Sequence, residues 1–230
     1  MTDVGTADIV PLELGTFEFP DDEDLPPGIQ GVVVGYLVRH AGGLLLFDTG
    51  FGFGNRELDE RYHPRPVRIG DALATVGVDL AEIDAVANCH LHADHSGQNG
   101  AFPGTPIYVQ AAEWHVAHTT DHTILEWIDF EGMRYEQLEG DHVLSDDVTI
   151  VATPGHTPGH QSLAVRTPAG LVVLAGQACY TAREWAGEAT PLEGRSRAPD
   201  TRAYDASIRR LRELGARQVR FGHDRSAWTA

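Results

Sequence analysis

A chain of 230 residues with 42% hydrophobic side chains can bury a real core, as one large domain or two small ones. Its 34 acids stand against 17 bases, all of them arginine, and the formal net charge of -17 repels phosphate backbones, which argues against nucleic acid as partner. No apolar run approaches the length of a membrane span, and the opening M-T-D-V-G-T-A-D lacks the basic start and apolar stretch of a secretory signal, so a cytoplasmic protein away from membranes is expected.

From Ile9 to Phe19 the sequence reads as a first strand. It runs into Pro20 to Gly28, where four acids and two further prolines continue neither strand nor helix and predict a solvated loop, with a lid over a site as the alternative. Gly31 to Val38 and Leu44 to Phe47 predict a hairpin turning through His40 to Gly43. It ends in Asp48-Thr49-Gly50, and an Asp just past a buried strand has a hydrogen-bonding task. Gly70 to Val76 predicts a short helix, and Ala85 to Asn88 a buried strand that delivers N-C-H-L-H-A-D-H-S-G, residues Asn88 to Gly97. His90, His92, Asp94 and His95 fall within six consecutive positions there. Such a cluster is a poor choice for a core, where each ring needs a partner, and a good one for zinc or a neighbouring transition metal. A sharp turn would point His90 and His92 one way and Asp94 and His95 another, so that one loop serves two adjacent ions.

Ile107 to Val109 predicts another strand, followed by a helical stretch from Ala111 that carries His115, His118 and His122 on one face. No carboxylate or cysteine completes a ligand pattern around them, so an exposed polar face is expected rather than an accessory metal site. The strand Val148 to Ala152 leads into T-P-G-H-T-P-G-H, where two Pro-Gly steps bracket His156 in a rigid turn. The strands Ser162 to Arg166 and Leu171 to Ala175 form a hairpin through Thr167 to Gly170 and deliver Gly176 to Tyr180. Glu184 to Pro199 predicts a loop. Asp200 caps a helix from Thr201 to Leu214, with Tyr204, Ile208, Leu211 and Leu214 as its core stripe. Gln218 to Phe221 is the last strand expected, and Gly222-His223-Asp224 follows it. Cys89 and Cys179 are too few for a disulfide framework and are expected as buried structural thiols beside the site.

Asp-Thr-Gly after an early strand, then H-x-H-x-D-H, a Gly-His turn, a residue after a later strand and a final His resemble the metallo-β-lactamase superfamily over almost the whole length. Within it, P-G-H-T-P-G-H-Q-S-L at Pro154 to Leu163, Tyr180 and F-G-H-D at Phe221 to Asp224 resemble the N-acyl homoserine lactonases. The resemblance implies an α/β (α+β) fold, a four-layer αβ/βα sandwich, spanning residues 1–230 as a single domain. It implies that His90, His92 and His156 hold one metal ion, that Asp94, His95 and His223 hold a second, and that Asp48 steadies the ligand loop. The ions would be zinc, one or two of them, with iron or manganese as alternatives. Tyr180 matches a phenol near the substrate carbonyl. One position departs from the pattern. Where the family has an Asp that bridges both ions, this chain has Gln177, whose neutral amide offers a single carbonyl oxygen and leaves the repulsion between two cations less compensated.

The function implied is a metal-dependent hydrolase that opens a lactone or similar ester of a small molecule, with Tyr180 stabilising the oxyanion and Asp94 passing the proton to the leaving alkoxide. Thioesters and phosphotriesters are alternative substrates on the same scaffold. A non-catalytic binding protein with a degraded metal site is the rival of another class. Phe19, Phe51 and Phe53 are expected to shape the substrate side.

Overall fold

The computed structural model describes residues 5–20, 29–188 and 198–230. The acidic stretch 21–28, read as loop or lid, and the segment 189–197 lie outside them. In chain order the first half supplies β1 (Asp8–Glu18), β2 (Gln30–His40), β3 (Gly43–Phe47), α1 (Arg56–Tyr62), β4 (Arg65–Pro66), α2 (Ile69–Ala74) and β5 (Ala85–Ala87). It continues with α3 (Ala93–Ser96), β6 (Pro106–Gln110), α4 (Ala111–Thr119), α5 (Leu125–Ile128) and β7 (Arg134–Leu138). The second half supplies β8 (His142–Val143), β9 (Val148–Ala152), β10 (Gln161–Thr167), β11 (Gly170–Leu174), α6 (Ala182–Trp185), α7 (Thr201–Glu213), β12 (Gln218–Phe221) and β13 (Asp224–Thr229).

These strands form a seven-stranded sheet in the order β4-β1-β2-β3-β5-β6-β7 and a six-stranded sheet in the order β13-β12-β11-β10-β9-β8. β2 shows why they stack. Its residues from Gly31 to Val38 are all buried, so neither of its faces meets water. Alternate side chains go to opposite faces of a strand. Val33 and Leu37 pack under the helices with Leu73, Ile107 and Ile128. Val32, Val34, Tyr36 and Val38 pack against Ile150, Leu163 and Leu174 of the second sheet. That sheet's other face, with Val173 and Val219, is covered by Leu211 of α7 and Trp185 of α6. Four layers result, helix, sheet, sheet, helix, as the resemblance implied.

Three local expectations are corrected. Gln218–Phe221 is not the last strand, because the chain turns through Gly222 and His223 and pairs back as β13, with Phe221 opposite Asp224. Glu184 and Trp185 belong to α6 rather than to a loop, and Trp185 is buried. α7 ends at Glu213, so Leu214 is its C-cap and 37% exposed, leaving Ile208 and Leu211 against the core, while Tyr204 is buried beside the Gly155 turn and donates its hydroxyl to Glu184.

Candidate metal centre

All the candidate ligands gather at one edge of the sandwich because each follows the C-terminal end of a strand. Asp48 follows β3, the His90–His95 loop follows β5, His156 follows β9, Gln177 follows β11 and His223 follows β12. β3 and β5 run parallel, as do β11 and β12, so these ends point the same way.

The loop after β5 is fixed from both sides. Asp48 adopts a left-handed backbone, φ 66°, which an Asp tolerates better than most residues. Its Oδ1 accepts from the Cys89 N–H at 2.7 Å, and its Oδ2 lies 3.0 Å from His95 Nδ1. Thr49 N–H and Asn88 Nδ2 both donate to the His95 carbonyl, at 2.8 and 3.0 Å. The turn around His156 closes on itself through Gly155 N–H to Thr157 O, 3.0 Å, and it lies flat on α7. Gly155 has φ 149°, and a Cβ there would meet the Tyr204 Cα at 2.6 Å, so glycine is what lets this turn sit down. His160 at its far end contacts Thr153 Oγ1 through Nδ1 at 2.9 Å and accepts the Gln177 N–H at Nε2.

Two donor groups result. His90 Nε2 lies 3.0 Å from His92 Nδ1, which lies 3.2 Å from His156 Nε2. Beside them, His95 Nε2 lies 3.3 Å from Asp94 Oδ2 and 3.2 Å from His223 Nε2, with His223 Nε2 3.6 Å from the same oxygen. The other ring nitrogen of His223 donates to the Val32 carbonyl at 2.8 Å, which leaves Nε2 free to face the group. Gln177 turns its Oε1 to this second group, 2.9 Å from His95 Nε2 and 3.1 Å from His223 Nε2, while its Nε2 contacts the Tyr180 hydroxyl. Tyr180 itself stacks on His223 at 5.1 Å.

Burial sets the charges. It lowers His92 to about 3, with His156 and His122 adding to the effect, and lowers His223 to about 4. His90 is held well below its ordinary value for the same reason. Burial works against the Asp94 charge, yet His95, His223 and His92 outweigh it and keep the carboxyl below the usual range. Burial also opposes a proton on His95, but the Asp94 and Asp48 carboxylates push it up. Cys89, fully buried, is raised by burial and stays a thiol, and Cys179 is buried as well. His90, His92 and His223, kept neutral by burial, turn ring nitrogens toward neighbouring nitrogens at about hydrogen-bond distance, and the Asp94 carboxylate beside His95 and His223 adds an anionic oxygen, a donor chemistry that fits a divalent cation in each group. The first group is three His nitrogens; the second is two His nitrogens, a carboxylate oxygen and an amide oxygen.

The donors form the floor of a cleft of about 620 Å³, whose floor includes His92, Asp94, His156, Gln177, Tyr180 and His223. Phe17, Phe19, Phe51, Leu58, Tyr62 and Ile124 make its apolar wall. Phe53 does not reach it; the ring is 41% exposed and lies under the Arg68 guanidinium. The three later histidines do not share a helix face. His115 and His118 are on α4, where His118 bonds Asp129, but His122 lies beyond the helix and comes back into the site. Its ring packs 4.4 Å from that of His92, and its Nε2 lies 2.7 Å from Glu113 Oε1. Glu113, fully buried, was not singled out by the sequence, which shows it as an ordinary acid in the first turn of a helix.

Residues 28–223 match the model of the metallo-beta-lactamase superfamily. An N-acyl homoserine lactonase of Bacillus cereus is 38% identical over 205 residues, 82% of this chain and 80% of the relative. A variant of Bacillus thuringiensis AiiA with N-decanoyl-L-homoserine bound at its active site superposes with a TM-score of 0.81 at 28% identity, covering 96% of this chain and 94% of the other. An N-acyl homoserine lactone hydrolase with N-hexanoyl-L-homoserine at its catalytic metal centre gives 0.79 at 29% identity, with the same coverage. By sequence, by layer order and by the donors at its sheet edge, the chain belongs to the metallo-beta-lactamase superfamily and, within it, to the N-acyl homoserine lactonases.

Proposed function

We propose that the protein hydrolyses the ring ester of acyl homoserine lactones or closely similar lactones, using zinc held by His90, His92 and His156 and by Asp94, His95, His223 and Gln177. The observation that carries this reading is the pair of donor groups on the floor of a cleft with an apolar side built by Phe17, Phe19, Phe51 and Leu58, in a chain 38% identical to a lactonase. The ion supplies Lewis acidity and brings the pKa of water toward ~7. Everything else falls to the chain. Tyr180 directs its hydroxyl into the cleft beside Gln177 and donates to the carbonyl oxygen as negative charge builds there. Asp94, an anion between His95 and His223, takes the proton from the attacking water and returns it to the alkoxide released when the ring opens. The wall of Phe17, Phe51, Leu58 and Tyr62 receives an acyl chain and excludes water.

The test is acid release by the purified, metal-loaded protein from acyl homoserine lactones of short and long chain, followed by pH-stat. Steady release is expected. Its absence for every chain length overturns the lactone assignment, and thioesters and phosphotriesters then become the substrates to try. Gln177 favours one further reading, a binding protein whose metal centre has decayed. Metal analysis separates the two, since a folded protein with negligible metal after reconstitution would support the binding protein.

A further inference from the structure

Glu113 belongs to neither donor group, yet both loops that build the first one end on it. Its side chain is fully buried at the start of α4. Oε1 accepts from the Leu91 N–H at 2.8 Å, the peptide between His90 and His92. Oε2 accepts from Thr157 Oγ1 at 2.6 Å and from the Gly159 N–H at 3.1 Å, just past His156. The contact is built for closeness: a Cβ on Gly159 would stand 2.2 Å from the Glu113 nitrogen, so only glycine lets this loop lie against the helix start. The fourth partner is His122, whose ring in turn rests against that of His92. The second donor group is tied elsewhere, through Asp48 on His95 Nδ1 and the Val32 carbonyl on His223 Nδ1.

We propose that Glu113 is a positioning residue for the first metal subsite alone, fixing His90 and His92 relative to His156 by holding both of their loops on one carboxylate. The proposal rests on reading the two donor groups as metal subsites. A buried carboxylate that accepts from four donors has no neutral substitute. An amide in its place brings an NH2 that must face at least one of those donors, and the two loops separate.

The experiment compares chelator competition and the visible absorption of Co2+ in the wild-type protein, His92→Ala, His223→Ala and Glu113→Gln. The ion lost in His92→Ala defines the first subsite, and the ion lost in His223→Ala defines the second. Glu113→Gln is expected to weaken the first ion on the order of tenfold or more and to change its Co2+ spectrum, with the second ion at wild-type affinity. Unchanged affinity of the first ion, or equal weakening of both, overturns the proposal. If Glu113→Gln does not fold, Thr157→Val removes one donor while leaving the carboxylate, and must give the same selective weakening in smaller measure; equal or no weakening overturns the proposal there too. A wild-type protein without any His92-dependent ion overturns the metal-subsite reading and the role of Glu113 together, whereas failure to open lactones touches neither.

Discussion

Gln177 is the residue whose chemistry is decided atom by atom. Its carbonyl oxygen serves only the His95 and His223 side, and the atom that a carboxylate would turn toward the other group is here an amide nitrogen engaged with the Tyr180 hydroxyl. Two cations a few ångströms apart repel strongly, and the missing anion is one that would compensate both. Gln177→Asp is therefore expected to raise metal occupancy toward two ions per chain, measured by elemental analysis after dialysis. Unchanged occupancy would show that the substitution does not limit metal binding. At this scale the sequence was informative about the candidate donors that the structure gathers at one sheet edge. His90, His92, Asp94 and His95 announce themselves by spacing, and His156 and His223 by their place after strands. Glu113 and His122 do not, because an acid in a helix's first turn and a histidine nine residues later acquire meaning only when the chain folds back to bring them within 2.7 Å.

Among the elements, α7 separates packing from pattern. Leu211 is fully buried against Val173 and Val219, whereas Leu214, one turn on and chemically identical, caps the helix in partial contact with water. Leu211→Ala is expected to cost about 2–5 kcal/mol and Leu214→Ala under about 0.5 kcal/mol, read from urea midpoints at constant slope. Similar losses at both positions would show that the helix end is buried in solution. The same contrast explains which elements were legible. Strands buried on both faces, such as β2, read as continuous apolar runs. β13 is exposed at four of its six positions and polar in composition, so nothing in D-R-S-A-W-T marks it as a strand; pairing with β12 makes it one. α1 is polar except for Leu58 and Tyr62, and those two residues face the cleft wall.

For the whole molecule, the buried histidines couple folding to acidity. Burial lowers His92 and His160 to about 3 and His223 to about 4, from an ordinary value near ~6.5. Below ~6.5 the unfolded chain takes up protons that these rings refuse in the folded state, so stability falls as the pH drops from ~6.5 toward ~4. His90, also held low by burial, adds to this, whereas His95 and His118, pushed upward, work in the opposite sense but are outnumbered by the lowered rings. The metal-free protein is thus expected to melt at a lower temperature at pH 5 than at pH 7, and a flat profile would show that the rings gain protons without unfolding. Among the described residues no helix is long and apolar enough to cross a membrane. The hydrogen bond from His223 to Val32, together with that from Val34 to the Gly222 carbonyl, joins the second strand to the last hairpin. Ribosomal synthesis turns that link into a sequence of events. On the proposed assignment, His90, His92 and His156 have all emerged well before His223, so a nascent chain could bring together the three nitrogens proposed for one ion while the other group waits for the β12–β13 hairpin to reach β2. Metal loading in the cell would then be ordered by translation.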